Sequence, residues 1–288
     1  YYRDFKNKKG DTRQYAKHQF SLRDRDVRVA TSVDFVNWTK GDWVDWRPDR
    51  ITQLYTTQTQ LYPGAEHLRI GFPLRYVPGR GRFSQLNERI AASSTYYASV
   101  YTDTGFISSR DGRTFRIWPE ALLRPGTTGA QWYYGFGGTA LNLIESPSQL
   151  PGGETEWSFY VQDHGSWFGD GVTYQRYSIR RDGFVSASAA LSGGSFTTKP
   201  LRFSGDHLLL NYSTSALGAI RVELQEPTGK PIPGFSLDEC VELFGNSVKH
   251  AVTWKQRADV NAISGKPIRL RFELKDADLF SLRFAARR

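Results

Sequence analysis

Sulfur is nearly missing from this chain, which has one cysteine, Cys240, and no methionine in 288 residues. A single thiol excludes an intramolecular disulfide framework and any zinc site built from several cysteines. A chain that starts at Tyr1 has no readable leader, so a processed or incomplete N-terminus is expected. Long apolar runs are missing as well. The longest uncharged stretch, residues 125–144, holds five glycines and several amides and hydroxyls, so no membrane span is expected. Glycine and proline, at 27 and 13 residues, fall short of collagen-like or low-complexity composition.

The chain is rich in aromatic and basic residues. Hydrophobic residues make up 39% and aromatics 14%, enough for one large core or two smaller ones. The net charge of +9 is uneven: residues 1–90 carry 17 basic and 10 acidic groups, residues 91–190 carry 7 and 9, and residues 191–288 carry 14 and 10. Such a field favours anionic partners over neutral ones. Nucleic acid is not expected, because Lys6, Lys8, Lys9 and Arg13 form only a short cluster and no zinc-finger, RNP or helix-turn-helix signature accompanies them.

Helical periodicity is almost absent, and short aromatic or β-branched runs bounded by Gly, Pro, Asn and Asp recur throughout. Strands are expected over 52–61, 67–77, 156–162, 172–179, 207–212, 219–225, 251–254 and 268–274. In the last of these, Ile268, Leu270, Phe272 and Leu274 alternate with Arg269, Arg271 and Glu273, the pattern of a half-buried strand. A turn also recurs. It reads TSVDFVNW over 31–38, SSRDGRTF over 108–115 and, in reduced form, RRDGF over 180–184, which places its aspartates, Asp34, Asp111 and Asp182, 77 and 71 residues apart. The carboxylate is expected to accept backbone N–H bonds within the turn, and the following aromatic to pack between strands. After the small-residue segment 186–195 the texture changes to short alternating strands, so residues 1–190 and 191–288 are expected to form separate domains, the second a β-sandwich.

The segments RVATSVDFVNWT (28–39), ITQLYTTQTQLYPG (51–64), GFISSRDGRTFRIW (105–118), YSIRRDGFVSASA (177–189), FTTKPLRFSGDHLLLNY (196–212) and LRFELKDADLFSLRF (270–284) together resemble bacterial glycoside-hydrolase-like proteins. Those are five-bladed β-propellers related to glycoside hydrolase families 32 and 43, with a C-terminal β-sandwich. The resemblance implies an all-β chain with about three blades visible, the N-terminal blades being supplied by a companion chain or a longer form. It implies action on a poly- or oligosaccharide, acidic or sulfated ones included, in an extracellular or periplasmic setting. A non-catalytic carbohydrate-binding or structural subunit, or a fragment of a larger enzyme, is the alternative.

Glycoside hydrolysis needs a protonated and an ionised carboxyl on either side of the scissile bond. Arg3 and Asp4 resemble the Arg-Asp-Pro motif without its proline, and Glu145 in Leu-Ile-Glu-Ser-Pro resembles the general-acid motif. Burial of Glu145 beside Trp132 and Tyr134 is expected to suit it to that role. Asp4 or Asp163 is then the candidate second carboxylate, orienting the sugar or stabilising the oxocarbenium-like transition state; Asp163 forms a concentrated cluster with His164 and Trp167, and these two with Gln53, Tyr55, Tyr62, Arg75 and Asp103 complete the candidate sugar contacts. Each has a plainer alternative: a solvated turn for Glu145, a surface ion pair for Asp4, an edge loop for the cluster and packing for each aromatic. No cofactor is expected, since one carboxylate and one histidine fall short of the six to eight oxygen ligands typical of calcium. Nucleophile-elbow and phosphate-cradle motifs are missing.

Overall fold

The computed structural model describes residues 1–7, 23–48, 53–164, 171–255 and 257–286. The chain is all-β, half strand and 7% helical, with a sheet curled into half a barrel. It divides into two compact units, residues 1–145 with 158–178, and residues 146–157 with 179–288.

In the first unit, β1 (Tyr2–Asn7), β2 (Arg23–Val29) and β3 (Asp42–Trp43) form one sheet in that order. The antiparallel register sets Arg3 opposite Val27 and Asp4 opposite Asp26. A larger, seven-stranded sheet follows. It is made of β4 (Asp45–Arg47), β5 (Gln53–Leu54), β6 (Gln60–Tyr62), β7 (Ala65–Gly71), β8 (Leu74–Val77), β9 (Tyr101–Ser109) and β10 (Thr114–Leu123). β9 is its hub, pairing with β7, β8 and β10. Val27, Val29, Val44, Trp46, Leu54, Ile107, Phe115 and Ile117 pack as one buried cluster. They come from both sheets, at alternating positions such as Val27 and Val29 on β2 and Phe115 and Ile117 on β10, whose side chains point the same way.

Two expected strands are interrupted. The run 52–61 breaks after Leu54 and resumes at Gln60, and the run 67–77 breaks at Phe72-Pro73, where proline offers no N–H to a ladder. The sequence reading also missed a helix, α1 (Gln85–Ser93). It is started by a capping box in which Ser84 accepts from the Asn87 amide while the Asn87 side chain accepts from the Ser84 amide.

The recurring turn has one geometry at its first two occurrences. Asp34 accepts from the amides of Val36 and Asn37 at 2.9 and 2.7 Å, and Asp111 from those of Arg113 and Thr114 at 2.8 and 2.7 Å. Ser32 and Ser109 cap the amides of Phe35 and Gly112, and both of those residues have positive φ, 65° and 73°. The fit differs afterwards. Phe115 is 1% exposed against Trp46, whereas Phe35 and Trp38 are 84% and 51% exposed, so of these two turns only the second shows the expected aromatic packing. The third turn departs further, with Asp182 itself at positive φ and its carboxylate accepting from Ser281.

Short strands β11 (Ile144–Ser146), β12 (Glu156–His164) and β13 (Thr173–Arg180) form a three-stranded sheet that contributes residues to both units. The second unit contains β14 (Ala187–Ala189), β15 (Gly194–Thr197), β16 (His207–Gln225), β17 (Asn246–Ala251) and β18 (Arg269–Ala285), ordered β14-β18-β16-β17 with β15 also on β18. Two expected strands, 207–212 and 219–225, are one 19-residue strand whose register against β18 shifts between Thr214 and Ala219. The strand expected over 251–254 ends at Ala251; Trp254 instead bridges to Cys240 and Arg257. Ile268, Leu270, Phe272 and Leu274 all face the core as their alternation required. The lone thiol of Cys240 lies in the same core, where burial pushes its pKa up. No described helix is long and apolar enough to cross a membrane.

Candidate functional site

The broken strand is where polar chemistry collects. Residues 55–59 leave the ladder between β5 and β6, yet their backbone stays anchored. Tyr55 donates its amide to the Leu74 carbonyl, the Thr56 carbonyl accepts from Leu74, and the Thr57 carbonyl accepts from Phe72. Close approach is possible because position 71 is glycine: a Cβ there would meet the Thr57 carbonyl oxygen at 2.7 Å. Gln58 is held at φ 40°, a left-handed conformation that costs a non-glycine residue about 1–2 kcal/mol. Thr56 Oγ1, Gln58 Oε1, Thr59 Oγ1 and Gln60 Nε2 are all shielded from solvent and have no hydrogen-bond partner. Four such atoms within five residues are unusual for a folded protein.

Beside this segment lies a cleft of about 530 Å³ lined by Tyr1, Tyr2, Arg3, Val27, Tyr55, Thr56, Thr57 and Gln58. The β1–β2 pairing brings Arg3 into it. The Arg3 guanidinium carbon lies 4.2 Å from the centre of the Tyr55 ring. Arg25, on β2, is 5.6 Å from the same ring and 3.9 Å from that of Tyr76. Arg25 is only 4% exposed, and its one hydrogen-bond acceptor is Gln53 Oε1, at 2.9 Å from Nη1, with Nε unpartnered. Among the described residues neither arginine is paired with a carboxylate. A buried guanidinium without a counter-ion is costly, so this is the most unusual electrostatic feature of the first unit.

The phenol of Tyr55 sits at the junction. Burial alone raises its pKa, but hydrogen bonds from Tyr134 and Arg3 and the charges of Arg3 and Arg25 outweigh it, leaving it below the ordinary tyrosine value. Tyr134 and Tyr76 go the other way, raised chiefly by burial. Tyr134 stacks on Tyr97 at 5.0 Å, and the Tyr76 hydroxyl donates to that of Tyr96.

Of the residues expected from sequence, Arg3 and Tyr55 line this cleft; Gln53 supports it through Arg25, and Tyr134 through Tyr55. The others are elsewhere. Asp4, Glu145 and Asp163 do not line it. Asp4 is 35% exposed and bonded to Arg28 Nε at 2.8 Å, the ion-pair alternative. Glu145 is exposed on β11, so the burial expected for it is corrected: the strand end carrying it faces solvent. Asp163 is half-buried and accepts from the Gln131 side chain, next to Trp132, whose indole donates to the Gly126 carbonyl at 2.8 Å and packs on Phe83. Arg75 and Asp103 saturate each other through two bonds of 2.6 and 2.7 Å across β8 and β9. Tyr62 is buried in the sheet. His164 ends β12, and Trp167 lies outside the described residues.

Sequence reasoning missed Arg25, Thr56, Thr57, Gln58 and Tyr76. The uncharged polar run Thr-Thr-Gln-Thr-Gln between tyrosines was the available signal, because a strand of that composition has little to bury. No group of three or more His, Cys, Asp or Glu placed to hold a metal ion occurs among the described residues. Comparison of the chain with family models, with curated proteins and with solved structures gives no match.

Proposed function

We propose that the protein binds an acidic poly- or oligosaccharide, carrying carboxylate or sulfate groups, in the Tyr55 cleft. The observation that carries this is the convergence of Arg3 and Arg25 on the Tyr55 ring with no carboxylate to neutralise either among the described residues. An anionic ligand supplies a charge partner for the exposed Arg3 guanidinium, which lines the cleft. Flat tyrosine faces suit the apolar face of a pyranose ring. The basic excess of residues 1–90 draws such a chain in from solution. A polymer of this kind is met outside the cell or in the periplasm. On the scaffold, the finer reading of propeller blades followed by a sandwich is supported by the shared geometry of the Asp34 and Asp111 turns.

Titration calorimetry with sulfated, uronate and neutral oligosaccharides tests the reading. Affinity for the charged ligands should exceed that for neutral ones, fall steeply with ionic strength and drop in Arg3→Gln. Equal, salt-independent binding of neutral sugars, or no binding at all, would refute it. Glycoside hydrolysis is a second reading, favoured by the partly exposed carboxylate of Asp4 next to Arg3. Hydrolysis of the same panel that is lost in both Asp4→Asn and Glu145→Gln would establish it.

A further inference from the structure

Resting on the binding reading, we propose that the cleft cleaves a uronate-containing chain by β-elimination, with Tyr55 as the base. Hydrolysis asks for two carboxyls flanking the bond, and no carboxyl lines the cleft. Elimination asks for different groups: a cation to neutralise the uronate carboxylate, and a base within reach of the C–H beside it.

Both are present. Arg3 is exposed in the cleft and has no carboxylate partner among the described residues, so its guanidinium is available to a substrate carboxylate. Pairing there withdraws charge from the carboxylate and makes the hydrogen on the α carbon acidic. Tyr55 lines the same cleft, its ring centre 4.2 Å from the Arg3 guanidinium carbon. Arg3 and Arg25 hold two positive charges against its ring, the arrangement that favours a phenolate. Tyr134, whose ring packs edge-on against that of Tyr55 at 5.9 Å, is pushed the opposite way by burial.

The step balances without water or any co-reactant. Tyr55 Oη takes the proton from the α carbon, the C–H electron pair becomes a double bond to the β carbon, and the glycosidic oxygen on the β carbon leaves with its bonding pair. The proton held by Tyr55 then passes to that oxygen, which becomes a hydroxyl, and the phenolate is restored. The products are one chain with a new hydroxyl end and one with an unsaturated uronate end. Tyr55 is therefore a catalytic residue, while Arg25, buried behind it, is a positioning and charging residue.

The experiment incubates the full chain with polygalacturonate, alginate and glucuronan. It follows the ultraviolet absorbance of the conjugated unsaturated uronate, the release of reducing ends, and binding by calorimetry. The expected result is absorbance rising in step with reducing ends on at least one polymer. Tyr55→Phe, which keeps the ring and its cation contacts, should lower that rate by about 10²-fold or more, as loss of a general base does, with affinity within about threefold of the parent. Arg3→Gln should lower both rate and affinity. Reducing ends without absorbance would overturn elimination in favour of hydrolysis. Binding of the uronates with neither signal would overturn elimination and leave the binding reading intact, and absence of binding to all three would remove both for uronates.

Discussion

Replacing Arg25 by methionine should separate the cost of this buried charge from its use. Removing a guanidinium that is 4% exposed and has no counter-ion among the described residues relieves a desolvation penalty of several kcal/mol. Against that gain stand a cation–π contact at 3.9 Å from the Tyr76 ring, worth about 2 kcal/mol when desolvated, and the charged hydrogen bond to Gln53, worth about 1.5–3 kcal/mol. These nearly cancel, and a flexible thioether fills the space left by the side-chain stem. Urea unfolding should therefore place Arg25→Met within about 1 kcal/mol of the parent. The same variant should bind sulfated or uronate oligosaccharides about tenfold more weakly at low salt, a loss of about 1.4 kcal/mol, while the salt dependence carried by Arg3 and the basic surface remains. A fall in stability of about 3 kcal/mol or more with unchanged affinity would refute the reasoning, since that is the signature of breaking a buried pair.

Three further outcomes follow from the scaffold. Gly112→Ala puts a Cβ at φ 73° and within 2.8 Å of the Tyr1 hydroxyl, so it should destabilise by about 1–2 kcal/mol in urea, whereas Phe35→Gly, at the equivalent and exposed position, should change stability by less than about 0.5 kcal/mol. The amides of Arg113 and Thr114 hold the Asp111 carboxyl at about 2, below its ordinary 3.8. Its contribution is therefore complete above pH 4 and fades as the pH falls towards 2, so Asp111→Asn should flatten the acid limb of urea midpoints in that window. Arg180 in the second unit bonds Asn211, Asn246 and the carbonyls of Tyr212 and Ser247. A lysine cannot reproduce that fork, so Arg180→Lys should cost about 1–3 kcal/mol by thermal or urea unfolding.

What local sequence carried was local in origin. Alternation at 268–274 assigns an inward face because successive strand side chains point opposite ways, and that face is buried. The Ser-x-Asp turns at 32–37 and 109–114 were readable because their bonds run between residues two or three apart. The strand break at 55–59 was less legible, since its polar run signals a weak strand but its place is set by the amides of Phe72 and Leu74 and the carbonyl of Leu74 that hold it.

The sequence by itself determined the all-β class, the form of the turns, the basic surplus near the start and the aromatic supply. Tertiary structure decided which of these groups meet. Arg75 and Asp103, 28 residues apart, cancel each other because β8 and β9 set them opposite, while Arg25 meets Gln53 across the same separation and is left charged. Nothing in the spacing distinguishes the two arginines. Strand register gives Arg75 its carboxylate, while packing between strands of two different sheets gives Arg25 an amide and three rings, with no carboxylate partner among the described residues.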